Sequence, residues 1–150
     1  MKQILFVGSE AAPFAATGGL GDVLGSLPKE IAALGGDDVD VRVVIPLYGM
    51  VKDEYRQMMR TEAEFTVSLA WRRIYCGIKS IYMDGVTWYF IDNEDYFKRN
   101  GLYGHFDDGE RFAFFCTAVL EMMRVLNFYP DYMHANDWQS ALTVVYANRK

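Results

Sequence analysis

The 150-residue sequence is poor in cysteine, histidine and proline, with two, two and four of each. Cys76 and Cys116 stand at no metal-ligand or redox spacing. That excludes a disulfide scaffold or a cysteine-rich zinc site, and two reduced, buried thiols in a cytosolic protein are expected. His105 has no second histidine or cysteine at ligand spacing, so no metal is predicted. No apolar run approaches the roughly 18 residues of a membrane span. Met1-Lys2 ahead of Ile4–Val7 faintly resembles a signal peptide, but Glu10 and Pro13 end the apolar run too early for one. Positive charge is also short, at 15 Lys and Arg against 20 Asp and Glu, a net −5. The basic clusters Arg72-Arg73 and Lys98-Arg99 are too small to offset it. A nucleic-acid partner and a membrane surface are therefore not expected, and the location expected is the cytoplasm.

What is present describes one globular domain with a real core: 51% apolar residues, 23% charged and 15% aromatic. The aromatic share is high. It implies a well-filled core with some ring surface left over, for which sugar stacking is one use. Ile4–Val7 reads as a strand buried on both faces. Leu20, Val23, Leu24, Leu27, Ile31 and Leu34 recur at helical spacing, with Pro28 expected to kink or break the helix near Leu24 and Gly35-Gly36 to end it. Val39–Pro46 is a second strand, and the strand–helix–strand unit implies a parallel sheet. Residues 65–70, 74–83 and 86–91 are strand-like, with a tight turn at Asp84-Gly85, and predict a hairpin inserted into or extending that sheet. Asp92–Gly109 reads as a long loop. A helix follows, opened by Asp107, Asp108 and Glu110, with a stripe from Phe112 to Leu126. Tyr132–Ala135 is a short strand, and Asn136 with Gln139 resembles a capping box for a last helix from about Trp138. The chain stops at Lys150 with no closing strand, the expectation for part of a longer protein.

Three segments carry candidate chemistry. Ala15–Val23 reads A-A-T-G-G-L-G-D-V. Gly18 and Gly19 let backbone approach a ligand closely, and a helix starting there turns its N–H groups and positive dipole end toward an anion. The simpler reading is a plain connection whose glycines serve the turn. A dinucleotide fingerprint fits poorly, because Gly19-x-Gly21 is followed by three residues before Gly25 and no acid clearly ends the second strand. Asp22 falls in the first helical turn, where it either offsets the dipole or bonds a sugar hydroxyl. Tyr103 and His105, in G-L-Y-G-H-F-D-D, make either a polyol platform or a loop packed by its own rings. His134-Ala135-Asn136-Asp137-Trp138 ends a strand and opens a helix. Ligands of open α/β sheets bind outside the carboxyl ends of strands, so this segment and the Gly18 loop are expected to meet at one sheet edge.

These residues together carry a family resemblance. Ser9-Glu10-Ala11-Ala12-Pro13-Phe14 with Thr17-Gly18-Gly19-Leu20-Gly21-Asp22-Val23 resembles the N-terminal signature of bacterial glycogen synthases and plant starch synthases. Gly101–Phe115 and His134–Trp138 resemble the same family in the same order, and the similarity runs from Met1 to Lys150. The resemblance implies a retaining glucosyltransferase moving glucose from ADP-glucose to the non-reducing end of an α-1,4-glucan such as glycogen. It implies a GT-B fold of two Rossmann-like domains facing a cleft, with no required metal or cofactor. Residues 1–150 would be the acceptor-side N-terminal domain. The nucleotide-binding second domain lies outside this sequence, so the fragment alone would be inactive.

Carried over by position, Gly18 and Gly19 bring backbone N–H groups to the donor. Asp22, Tyr103 and His105 face the sugar, and Asp137 supports the cleft edge. No catalytic residue is assigned within this segment. The absence of a paired-carboxylate site fits retention without a protein nucleophile, with catalysis by stabilising the leaving group. One position departs. Where the family carries Lys before [Thr/Val]-Gly-Gly-Leu, this chain has Ala16, and a charge-assisted hydrogen bond contributes roughly 1.5–3 kcal/mol. Leu47, where a lysine is common, departs more mildly. The rival readings are a catalytically inactive glucan-binding or regulatory module of the same fold and, more weakly, a nucleotide-dependent oxidoreductase domain.

Overall fold

The structure is a computed structural model and describes residues 1–99 and 101–136. Its centre is a six-stranded sheet in which the parallel part is built from the most apolar runs of the chain. β1 (Lys2–Val7) leads through α1 (Gly19–Gly35) to β2 (Val39–Pro46). A short helix, α2 (Asp53–Met58), precedes the hairpin β3 (Arg60–Leu69) and β4 (Arg72–Met83), and β4 turns into β5 (Val86–Asp92). Then come α3 (Glu94–Phe97), α4 (Asp108–Val125) and β6 (Tyr132–Ala135). The strand order is β3-β4-β5-β2-β1-β6, with β5, β2, β1 and β6 parallel and β3 and β4 antiparallel. This is the α/β, Rossmann-like arrangement expected, and the hairpin extends the parallel sheet at one edge.

Burial explains the order. Leu5, Val7, Val41, Val43, Val44, Phe90 and Ile91 are all essentially inaccessible, as central parallel strands require. α1 packs on β2 and β5, and α4 packs on β3 and β5. Burying such apolar side chains stabilises the fold by about 25 cal/mol per Å². Cys76 and Cys116 are both free and buried, and burial pushes the Cys76 thiol up to about 12.

Two expectations need correction. Pro28 does not break α1, which runs unbroken for 17 residues. The proline lacks the N–H that would have bonded one turn back, but its ring is buried. Tertiary packing keeps the helix whole where local propensity alone predicted a break. The segment 92–109 is also not all loop. Asn93 accepts a bond from the Tyr96 N–H at 3.1 Å and caps α3, which buries Tyr96 and Phe97. The stripe of α4 is wider than predicted, since Arg111, Phe114, Ala118 and Met122 are buried as well. Gly36 ends α1 at φ 56° and ψ −129°, a positive-φ conformation that glycine tolerates. The last helix expected from about Trp138 lies outside the described residues.

The topology fixes where a ligand can sit. β1 has β2 on one side and β6 on the other. The chain leaves β1 toward β2 and returns much later on the opposite side. The crevice at the carboxyl ends of β1 and β6 is thus a topological switch point, the usual ligand position in open α/β sheets.

Candidate functional site

Val7 and Ala135, the last residues of β1 and β6, are register partners. The Asn136 N–H donates to the Val7 carbonyl at 2.9 Å. The ends of β1 and β6 therefore lie side by side at the edge where the chain leaves β1 toward the Gly18 loop. The His134 ring lies 5.5 Å from the Phe6 ring. Asp137 lies outside the described residues.

Residues 8–18 form a folded knot between β1 and α1. Ala11 and Ala15 exchange backbone bonds of 2.8 and 2.9 Å, and the Ala12 N–H reaches the Gly21 carbonyl at 2.9 Å. The glycines divide into two kinds. A Cβ on Gly21 would lie 2.5 Å from the Ala16 Cβ, and one on Gly25 would lie 2.6 Å from the Ala12 carbonyl oxygen. Those two glycines let α1 press against the knot. Gly18 and Gly19 have nothing within 4 Å of that position, and Gly18 is extended at φ −168°. Neither packing nor backbone conformation requires glycine there, and both residues are exposed. The open approach left in front of them is what a ligand-facing role needs.

Sequence reasoning expected an external anion at the start of α1. The structure shows an internal one. Glu10 is 3% exposed, and one carboxylate oxygen accepts from the Gly21 N–H at 3.0 Å. The other accepts from the Thr17 hydroxyl at 2.8 Å, the Thr17 N–H at 3.3 Å and the Tyr103 hydroxyl at 3.1 Å. A carboxylate at a helix N-terminus is stabilised by the dipole and by the orphan N–H groups. Since Tyr103 gives its single proton to Glu10, the Ser9 hydroxyl donates to the Tyr103 oxygen, at 2.7 Å. Tyr48 in turn donates to the Ser9 carbonyl at 2.6 Å, and burial raises its phenol well above the ordinary range. Two segments 93 residues apart, the glycine loop and the Tyr103 loop, are thus held by one buried carboxylate.

The Tyr103–His105 loop has a second anchor. Arg111 is fully buried; its guanidinium donates to the Tyr96 carbonyl at 2.6 Å, the Leu102 carbonyl at 3.1 Å and the Asp108 carboxylate at 2.7 Å. It also lies 5.5 and 5.3 Å from the Phe97 and Phe112 ring centres. Asp108 accepts from the Gly104 and His105 N–H groups at 2.8 and 3.2 Å. Burial by itself would raise the Asp108 carboxyl, but the bonds from Arg111, Gly104 and His105 outweigh it and hold the group below the ordinary range. The Arg99 pair holds the neighbouring Asp107 low in the same way.

His105 is half-buried and its Nε2 is enclosed with no hydrogen-bond partner. Asp22 is exposed in the first turn of α1. Its N–H donates to the Gly18 carbonyl at 3.4 Å. Ala16 is half-buried beside Gly21, in the place where a cation was expected. Of the predicted site residues, Tyr103 is joined through Glu10 to Thr17 and Gly21, which flank Gly18 and Gly19, and His105 shares the Tyr103 loop. Glu10 and Arg111 were the residues that sequence reasoning missed. The available signal for Glu10 was a carboxylate placed just after a buried strand, where solvent could not satisfy it. For Arg111 it was an arginine among the apolar positions of α4.

A family model described as the starch synthase catalytic domain matches residues 3–150. The glycogen synthase of Anoxybacillus flavithermus (strain DSM 21510 / WK1) is 51% identical over 140 residues, 93% of this chain and 28% of that protein. The glycogen synthase of Clostridium botulinum (strain Eklund 17B / Type B) is 52% identical over 143 residues, 95% of this chain and 29% of that protein. Among solved structures, the catalytic domain of starch synthase IV from Arabidopsis thaliana, bound to ADP and acarbose, superposes with a TM-score of 0.83 at 28% identity. That match covers 99% of this chain and 31% of the other. The chain spans under a third of the length of these relatives.

Proposed function

The chain belongs to the starch synthase catalytic-domain family, and from that premise we propose that it forms the N-terminal, acceptor-side wall of a retaining glucosyltransferase. The donor is ADP-glucose and the acceptor is the non-reducing end of glycogen or another α-1,4-glucan. A second Rossmann-like domain, supplied by the rest of the protein, holds the nucleotide across the cleft, and the enzyme works in the cytoplasm.

The observation that carries this reading is the Glu10 junction. It fixes the exposed Gly18-Gly19 backbone and the Tyr103–His105 loop in one arrangement at the switch point of the sheet. Gly18 and Gly19 present amide dipoles to the donor phosphates as charge develops on the leaving group. Asp22, with its carboxylate free in solvent, suits a sugar hydroxyl. His105, on the same loop as Tyr103, faces the sugar side of the wall. The glucosyl centre passes through an oxocarbenium-like state with no carboxylate nucleophile from this wall. Holding these loops before the substrate arrives is the protein's contribution, because preorganised dipoles cost no reorganisation during the reaction.

Ala16 leaves this wall without the cation that the family pattern places there. Ala16→Lys in the full-length protein is expected to raise donor affinity or turnover by about tenfold to a hundredfold, the worth of one charge-assisted hydrogen bond. Steady-state kinetics with varied ADP-glucose measure it. Ala16 is also what favours the second reading, a glucan-binding module without catalysis. Glycogen co-sedimentation that persists while both the full-length wild type and Ala16→Lys fail to transfer glucose selects that reading.

A further inference from the structure

The two turns of the β3–β4–β5 meander contrast. Asp84-Gly85, between β4 and β5, has φ of 55° and 77°, and these residue types suit such a turn. The other turn, between β3 and β4, is Ala70-Trp71. Ala70 sits at φ 55° without glycine's freedom, and Trp71 is 88% exposed. Turn chemistry favours neither residue, and the large indole buries nothing in the fold. An exposed tryptophan in an unfavourable turn calls for a use outside the core.

Its position supplies one. The last β4–β5 register pair is Gly77↔Asp92, so the β4 residues from Arg72 to Cys76 run past the carboxyl end of β5. At about 3.3 Å per residue the overhang extends some 17 Å beyond the parallel strands. It lies at the same carboxyl edge as the Gly18-Gly19 loop. Arg72 anchors it, donating to Glu110 at 3.1 Å and to the Tyr96 hydroxyl at 3.1 Å. Glu110 lies in the first turn of α4, just after the Tyr103–His105 loop. Beside the indole is a cavity of about 480 Å³, whose lining includes Arg72, Arg73, Asn93 and Asp95.

The chemistry of the patch selects its guest. Arg72 is matched by Glu110, and Arg73 has Asp95 on the same cavity wall. The formal charges balance, which disfavours a phosphate or polyanion. An open aromatic face beside balanced donors and acceptors suits a neutral chain whose rings are apolar on their faces and hydroxylated at their rims. We propose that Trp71 and this cavity bind an α-1,4-glucan segment several glucose units back from the reacting end, holding a long acceptor chain along the carboxyl edge of the sheet. This rests on the glucosyltransferase reading for the identity of the polymer.

The test uses the full-length protein with Trp71→Ala and Trp71→Phe. Trp71→Ala raises KM for glycogen, and the Kd for maltoheptaose by calorimetry, by about three- to tenfold, while Trp71→Phe stays within about twofold of wild type. KM for ADP-glucose is the same in all three proteins. An unchanged glycogen KM and maltoheptaose Kd in Trp71→Ala overturns the site, as does an equal rise in the KM for ADP-glucose. Should the protein transfer no glucose at all, the enzymatic reading fails by itself. Glycogen co-sedimentation then decides the Trp71 site: weaker binding by Trp71→Ala supports it, and equal binding removes it.

Discussion

Glu10 is the residue on which the site turns. Its two oxygens serve four donors from two segments, and it is sealed from water. Glu10→Gln keeps the volume but turns an amide NH₂ toward groups that are themselves donors. It is expected to destabilise the protein by about 1–3 kcal/mol, read as a lowered urea midpoint, and to reduce glucose transfer by disordering both loops. Asp108 gives a pH-dependent counterpart. Its folded-state pKa is depressed, so the native state binds fewer protons than the unfolded chain near pH 4. Its contribution is complete above the unfolded value of about 3.9 and is lost as pH falls through the lower folded value. Acid unfolding of Asp108→Asn is therefore expected to be less steep below about pH 4 than that of wild type, in circular dichroism titrations. An identical slope would remove Asp108 as an acid-labile anchor of the Tyr103 loop.

Among the elements, the start of α1 separates glycines that serve the packing from those that stand open to solvent. Gly25→Ala gains helix propensity of up to about 1 kcal/mol but drives a Cβ against the Ala12 carbonyl oxygen, so a net loss of about 1–3 kcal/mol is expected. Gly19→Ala meets nothing; its unfolding midpoint should match or exceed that of wild type while transfer from ADP-glucose falls. Parallel unfolding and kinetic measurements on the two variants check the contrast. The same elements show how much was legible beforehand. β2 and β6 end where the sequence pattern puts them, because the Val and Ile run of β2 and the short Tyr132–Ala135 run after Pro130 have few alternatives. α1 was legible except at Pro28, where local propensity predicts a break and packing prevents it. α3 was hidden because four residues carry too little periodicity, and only the Asn93 cap reveals it. Gly18, Gly19 and Tyr103 could be read as a site from their motif. Their junction could not, because a contact across 93 residues leaves no local pattern.

For the whole molecule, topology does the organising. The switch point brings the ends of β1 and β6 together, Tyr103, just ahead of α4, bonds Glu10, and the β3–β4 overhang extends that edge outward. In the proposed reading this edge forms one wall of a cleft, and the chain spans under a third of the relatives' length. Ala16 is the feature that puts the account at risk. The most direct measurement is transfer of radiolabelled glucose from ADP-glucose to glycogen by the full-length protein, wild type beside Ala16→Lys. The account predicts glycogen labelling with the anomeric configuration retained, increased by the lysine. No labelled glycogen from either protein would contradict it.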